Sequence, residues 1–248
     1  MKELYKKLYN DCLQSDTFKD DAHFVSMRGV FYGKDERRKL LLVGRAPNGW
    51  GSLITDTADA FAADAQRQFD DCHRFNWIES VNGTLYSTHD REEDSRYCID
   101  TKPFWYYAKE IWQKLPGAAS DYYIWPEHIA WSNLYKVSPL VCDNPNDESM
   151  RIQRSACIDI LKKELDVYKP THILFLTSYD WFEPFAGIFD SVTDLGVRNV
   201  MKGSQKNEVY VEGTAIYQGA RAVIACRPEH RNKEGFVDAV LRAFEENI

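Results

Sequence analysis

Three short polar segments carry the residue types from which a ligand site can be built. They comprise residues 44–51, 132–139 and 227–232, and each follows or ends an apolar run of strand length. Their amide, guanidinium and imidazole side chains can bind anions or read the hydrogen-bonding edge of a ligand. Because the carboxyl ends of neighbouring parallel strands meet at one edge of a sheet, we expect the three segments to converge on one crevice.

The first segment is rich in residues that shape a tight turn. Gly44 permits close approach of the backbone, Pro47 stiffens the loop, and the pair Asn48-Gly49 tolerates positive φ. Backbone N–H groups in such a loop can face an anion or a carbonyl oxygen. The segment has neither the Gly-Lys-Ser/Thr ending of a P-loop nor the glycine spacing of a dinucleotide-binding motif. Alone, it is equally consistent with a tight turn that binds nothing.

Taken in order, the segments resemble the motifs of the uracil-DNA glycosylase superfamily. Residues 44–48, Gly-Arg-Ala-Pro-Asn, resemble the Gly-x-(Asp/Asn/Ala)-Pro loop that follows the first strand in that superfamily. Residues 131–136 resemble the strand whose Asn reads a pyrimidine edge. Residues 226–230, Cys-Arg-Pro-Glu-His, resemble the closing motif, usually His-Pro-Ser, whose loop enters the minor groove. Residues 170–178 resemble the strand between them, so the resemblance covers most of the chain after residue 40.

The resemblance implies a role for each motif residue. A base must leave the duplex stack before its glycosidic bond can be reached. Asn133 would read the flipped base, Asn48 would orient a water molecule, and His230 would stabilise negative charge on the leaving base. An aromatic ring would stack on the base, from Trp50, Phe61 or Phe69. The substrate-binding residues implied are Gly44, Arg45, Ala46, Pro47, Trp50, Asn133, Arg227 and Pro228, with Arg227 holding a phosphate.

The chain also departs from the superfamily pattern. Ala46 stands where some families have a catalytic Asp or Asn, so families with Ala there are the closer comparison. Arg227 replaces the usual closing His, and His230 lies a few residues further on. The cysteines that hold an iron–sulfur cluster in one branch are absent. The fold therefore transfers more safely than the activity.

Hydrophobic patterning predicts the elements that position these segments. Apolar runs that begin or end in polar or turn residues predict buried strands at 39–44, 172–178 and 222–226. Residues 129–139 are a further candidate strand, and an antiparallel piece is predicted at 209–217 that turns at Glu212-Gly213. Helical spacing predicts helices within 1–30, including a short one containing Phe24 and Met27, and at 55–72, 102–115, 150–168, 181–189 and 233–246. The polar stretch 74–100 is predicted to be irregular, either a lid or an inert insertion. The predicted strands and helices together indicate a single α/β domain over 1–248, with a helical N-terminal extension over 1–30. The expected architecture is three-layer α/β/α, around a mainly parallel four-stranded sheet.

Composition narrows the class of protein. The formal net charge of −7 does not favour broad neutralisation of phosphates, although a local basic groove is compatible with it. The six cysteines are scattered without a Cys-x-x-Cys pair, which predicts no metal site. The sequence shows no secretory signal and no membrane-spanning run, so we expect a cytoplasmic protein. We also expect a monomer that uses no cofactor.

Three interpretations of function follow from these residues. The first is a glycosylase-like protein that recognises uracil or a related deaminated base in DNA and hydrolyses its N-glycosidic bond, as in base excision repair. The second is a binding module of the same fold that binds nucleic acid or a nucleotide without cleaving it, which Ala46 and the altered closing motif favour. The third is an enzyme acting on free nucleosides or nucleotides, which suits the acidic composition.

Overall fold

A computed structural model describes residues 1–13, 21–47, 52–54, 57–72, 78–81, 84–87, 97–98, 102–117, 122–139, 144–198 and 209–246. In these ranges the α-helices are α1 (Lys2–Leu13), α2 (Ala58–Asp70), α3 (Pro103–Lys114), α4 (Asp147–Tyr168), α5 (Tyr179–Phe182) and α6 (Lys233–Glu245). Two 3₁₀-helices span Tyr122–His128 and Glu183–Ile188. The helices predicted at 55–72, 102–115, 150–168 and 233–246 are thus confirmed, and that predicted at 181–189 is α5 with the second 3₁₀-helix.

The main sheet has seven strands and mixed direction. Its strands, in spatial order, are β11 (Ser191–Asp194), β12 (Val211–Tyr217), β13 (Ala220–Ala225), β10 (His172–Leu176), β3 (Leu40–Gly44), β8 (Ala130–Asn133) and β2 (Met27–Arg28). The four central strands, from β13 to β8, run parallel. At the edges, β12 pairs antiparallel to β13, β2 pairs antiparallel to β8, and β11 pairs antiparallel to β12. The α/β prediction is therefore confirmed, but the sheet has seven strands where four were predicted, because β11 and β12 extend it on one side and β2 on the other.

Central strand β3 shows why a continuous apolar run predicted burial on both faces. Leu41 and Val43 pack into one core with α1, α2 and α4. Leu40 and Leu42 pack into a second core with α3 and α6. All four side chains have 0% exposure, so helices cover both faces of the sheet at this strand. No helix within the described ranges is both long and apolar enough to cross a membrane.

Two strand predictions differ in detail from the structure. The run 129–139 is not one strand: β8 ends at Asn133, and β9 (Val137–Pro139) joins a different sheet. The turn predicted at Glu212-Gly213 is a bulge inside β12, where the register shifts. The chain reverses instead at Gln218 and Gly219, which both adopt positive φ, as a two-residue hairpin requires.

The N-terminal extension is only partly helical. Helix α1 is confirmed, but the short helix expected around Phe24 is wrong, because residues 21–23 form strand β1 (Asp21–His23). In the register of this small sheet, Ala22 faces Leu53 of β4 (Ser52–Leu53) on one side and Ser138 of β9 on the other. These distant pairings override the local helical pattern. They also connect the strand that follows the first polar segment with the end of the second polar segment.

The stretch 74–100 contains more structure than its polar composition predicted. Strands β5 (Ile78–Val81), β6 (Thr84–Ser87) and β7 (Tyr97–Cys98) form an antiparallel sheet in sequence order. The rest of the stretch lies outside the described residues. The irregular structure predicted there is wrong for these three strands.

His172, at the start of β10, makes the stability of the fold sensitive to acid. Burial, with Arg221 and Arg38 nearby, lowers the pKa of His172 from 6.5 to about 4. Between these pH values the unfolded chain binds a proton that the folded chain does not, so stability falls as pH drops from 6.5 towards 4. We expect His172→Gln to reduce the loss of stability between pH 7 and pH 4.5 in urea unfolding. An equal loss in both proteins would contradict this assignment.

Candidate functional site

The three polar segments meet at a crevice of about 360 Å³ at the carboxyl ends of the parallel strands. The crevice lies on the side of the sheet covered by α3, whose first residues form part of its wall. Its volume lies at the lower end of the ~300–1,000 Å³ range typical of small-molecule sites. The lining residues are Gly44, Arg45, Ala46, Pro47, Lys102, Pro103, Phe104, Trp105, Trp131, Asn133, Asn144, Leu176, Arg227 and Glu229.

Gly44 and Asn133 lie side by side at the floor of the site. They are register partners in the parallel ladder between β3 and β8 and are the last residues of these strands. Asn133 is 2% exposed, and within the described chain its Nδ2 has no hydrogen-bond partner. Leaving a buried amide donor unpaired is costly, and a ligand acceptor would satisfy it. The Asn133 Nδ2 group is therefore a donor that a ligand acceptor could pair with.

Residue 44 must be glycine for Asn133 to keep its position. A Cβ on Gly44 would lie 2.4 Å from Asn133 Oδ1 and 3.3 Å from the Phe104 ring. We expect Gly44→Ala to displace the Asn133 amide and lower ligand affinity roughly tenfold or more, because misplacing a binding group is costly. Equilibrium binding of a uracil-containing oligonucleotide, the ligand that the sequence motifs predict, measures this. Gly187→Ala is the matched control, because a Cβ there meets nothing within 4 Å.

An aromatic wall, comprising Phe104, Trp105 and Trp131, lines one side of the crevice. The Trp105 and Trp131 ring centroids lie 4.8 Å apart at 72°, and Phe104 packs edge-on to Trp105 at 5.2 Å. Trp105 and Trp131 are nearly buried, whereas Phe104 is only partly buried. Partial burial leaves Phe104 as the ring best placed to stack on a ligand.

The rings expected to stack on a base lie elsewhere or outside the described residues. Phe61 packs against Tyr5 and Tyr9, and Phe69 stacks on Tyr168 at 5.3 Å. Both belong to the core on the opposite face of the sheet from the aromatic wall. Phe61 and Phe69 were wrong candidates. Helical spacing shows which face of a helix is buried, but it does not show against which face of the sheet that helix packs.

Two arginines bring positive charge to the crevice. Burial, together with the nearby charge of Arg227, lowers the pKa of Arg45 to about 10, so Arg45 remains a cation at neutral pH. The Arg45 guanidinium donates to Thr177 O at 2.6 Å and to Ser178 Oγ at 3.1 Å. The Arg227 guanidinium is half-exposed and forks onto the Glu229 carboxylate at 2.7 and 3.1 Å.

Ser178 follows strand β10 with a backbone conformation that is uncommon for a residue with a side chain. Its φ is 70° and its ψ is 157°. The Ser178 N–H donates to Ala225 O at 2.9 Å, and Arg45 holds its hydroxyl. Because such conformations persist only when surrounding contacts enforce them, this corner of the site is rigidly built.

Six of the residues predicted for the site line the crevice: Gly44, Arg45, Ala46, Pro47, Asn133 and Arg227. Pro228 is buried beside it without lining it. His230 is exposed on the following turn with φ of 61° and does not line it. Asn48 and Trp50 lie outside the described residues.

Several lining residues were not anticipated. Lys102, Phe104 and Trp105 belong to the start of an amphipathic helix whose apolar face was assigned to the core. Trp131 and Glu229 lie inside the motifs, two residues from Asn133 and Arg227 respectively. Because alternate residues of an extended segment face the same side, this spacing could have predicted that they line the crevice. Asn144 and Leu176 had no signal in the sequence.

The arrangement suits recognition of a planar, anionic ligand such as a nucleotide. It combines an amide at the floor, aromatic faces at the side and cations at the opening. Within the described part of the chain, no three His, Cys, Asp or Glu side chains are grouped as metal ligands would be. No known family model matches the chain, and no curated protein matches it.

Proposed function

We propose that this protein is a uracil-DNA glycosylase-like protein whose crevice recognises uracil or a related deaminated base in DNA. The observation that carries the proposal is Asn133, a buried amide without a described hydrogen-bond partner at the floor of an aromatic-lined crevice. A carboxamide offers a donor to a carbonyl oxygen and an acceptor to a ring N–H, which is the pattern of a uracil edge. The aromatic wall supplies a face for stacking.

The charges around the crevice support a nucleic-acid ligand. Among the described residues that line it, Arg45, Lys102 and Arg227 carry positive charge and Glu229 carries the one carboxylate. Positive charge is thus concentrated here, although the whole chain has a net charge of −7. Guanidinium groups bind phosphate well, so we assign Arg227 to the strand that carries the base. On binding, the Arg227 guanidinium would leave the Glu229 carboxylate and contact a phosphate.

The sheet is compatible with the superfamily layout that the motifs imply. Four parallel central strands carry the first two motifs and lead into the third. The ordered motifs and the crevice at the carboxyl ends of these strands support this layout. We attribute the antiparallel strands at the edges to additions in this chain.

A second candidate is recognition without excision. Ala46 lines the crevice where a catalytic carboxylate or amide stands in some families, and His230 is exposed outside the lining. Both observations favour a module that binds the base and leaves its glycosidic bond intact. If the base is excised, Glu229 is the carboxylate in the described lining that can orient a water molecule for attack.

A strand-cleavage assay, together with a binding measurement on the same oligonucleotides, distinguishes these candidates. Single- and double-stranded oligonucleotides with one uracil, hypoxanthine or xanthine are incubated with the protein and then treated with alkali, which breaks the strand wherever a base has been removed. Cleavage that Glu229→Gln abolishes, with binding retained, would establish excision with Glu229 in the role above. Binding without cleavage would establish the module, and absence of binding to all three bases would contradict the proposed function.

A further inference from the structure

A buried pair of opposite charges lies directly behind the Asn133 backbone. Lys136 and Glu164 both have 0% side-chain exposure, and their charged atoms are 2.8 Å apart. Lys136 follows Asn133 by three residues, and Glu164 reaches it from α4. Charged side chains are almost never fully buried unless paired. This pair lies on the α4 side of the sheet, behind the strand end that carries Asn133 and outside the crevice lining.

The Lys136 ammonium uses all three of its donors. It donates to Ser132 Oγ at 2.7 Å, to the Asn133 carbonyl oxygen at 2.8 Å and to the Glu164 carboxylate. The Ser132 hydroxyl in turn donates to Glu164 Oε2 at 2.6 Å. The network is therefore closed, and one of its bonds fixes the peptide group of Asn133 itself.

The turn after Asn133 is held from two other directions. On α4, Gln153 Oε1 accepts from the Lys136 and Val137 N–H groups, both at 3.0 Å, and Gln153 Nε2 donates to Val137 O. On the opposite side, the Leu134 N–H donates to Gly44 O at 2.8 Å. The peptide carrying the Asn133 amide is thus locked between α4 and the first loop.

Stability alone does not account for such a pair. Desolvating two charges costs as much as their attraction returns, so apolar residues of similar volume usually serve a core at least as well. The position of the pair offers the other explanation, because a buried hydrogen-bonded network enforces one geometry where packing alone tolerates several.

We propose that Lys136 and Glu164 are positioning residues that hold the Asn133 amide in the orientation needed to read the base. Both act through the Asn133 backbone and Ser132, without touching the ligand. The identity of the ligand rests on the proposed function, whereas the fixing of the amide does not.

The test replaces the ion pair with apolar residues in the double variant Lys136→Met/Glu164→Leu. The Asn133 side-chain amide signal is identified by NMR from its loss in Asn133→Asp, and its ¹⁵N order parameter reports rigidity without any ligand. The control is Lys7→Met/Asp159→Leu, which removes an exposed ion pair between α1 and α4. We expect the order parameter to fall in the double variant and to stay at the wild-type value in the control.

A second readout compares affinities for oligonucleotides that carry one uracil or one cytosine. We expect the uracil-to-cytosine affinity ratio to fall roughly tenfold in the double variant, because a loosened amide discriminates poorly. Loss of folded protein alone would weaken both ligands equally and leave the ratio unchanged. Ser132→Ala, which keeps the ion pair but removes one link, should show a smaller effect of the same kind and serves if the double variant does not fold.

An unchanged order parameter in the folded double variant, or in Ser132→Ala if that alone folds, would overturn the positioning role. If wild-type protein binds neither oligonucleotide, the proposed function fails, and the order parameter still decides whether the pair fixes Asn133.

Discussion

Replacing Asn133 with Ala is expected to weaken binding of a uracil-containing oligonucleotide roughly 100-fold, the loss typical of removing paired hydrogen bonds to a base edge. The same change should leave the melting temperature nearly unchanged, because Asn133 Nδ2 has no hydrogen-bond partner among the described residues. Replacing the Asn133 side chain with a methyl group removes the contact to the ligand, and it also removes a buried donor that has no described partner to lose. Fluorescence anisotropy and thermal unfolding measure the two effects.

The matched control for Asn133→Ala is Asn10→Ala, the same chemical change at an exposed position of α1. This control should bind as the wild-type protein does. Asn133→Asp is the sharper variant, because it keeps the shape but replaces the donor with an acceptor, which repels the uracil carbonyl oxygen. Wild-type affinity in Asn133→Ala would remove the observation on which the proposed function rests.

Lys136→Met alone is expected to lower the free energy of unfolding by roughly 3–5 kcal/mol, because it leaves the Glu164 carboxylate buried without its cation. The double variant Lys136→Met/Glu164→Leu should recover most of this loss, since no buried charge remains. Lys136→Met, Glu164→Leu and the double variant form a double-mutant cycle, measured by urea unfolding at neutral pH.

The control for this cycle is Lys6→Met, which breaks the exposed ion pair with Asp59. Exposed pairs contribute at most about 1 kcal/mol, so its effect should be small. Equal destabilisation in the single and double variants would mean that the charges of Lys136 and Glu164 do not compensate each other, contrary to their geometry.

The sequence predicted the central strands and the convergence of the loops. Residues 40–44 and 222–226 are apolar at every position, a pattern typical of strands buried on both faces, so these strands could be predicted without knowing their partners. The order of the polar segments then placed Gly44 and Asn133 at the same edge. That they are direct neighbours across the ladder follows from the register, which no local pattern encodes.

Other features depend on partners distant in the chain. Strand β1 has three residues, too few for a period to be recognised, and it pairs with segments about 30 and about 115 residues away. Glu164 lies on an amphipathic helix, where a charged residue is ordinarily assigned to solvent. Phe104 and Trp105 follow the same helical spacing whether they face a core or a crevice. In each case tertiary contacts decide between structures that share one sequence pattern.

The most direct measurement for the central claim is equilibrium binding of wild-type protein to two single-stranded oligonucleotides that differ only in one base, uracil or cytosine. We expect tighter binding of the uracil strand by roughly tenfold or more, the discrimination expected from a base edge read by paired hydrogen bonds. Addition of free deoxyuridine monophosphate should compete for the same site. Equal affinities for the two strands, with no competition, would contradict base recognition in the crevice.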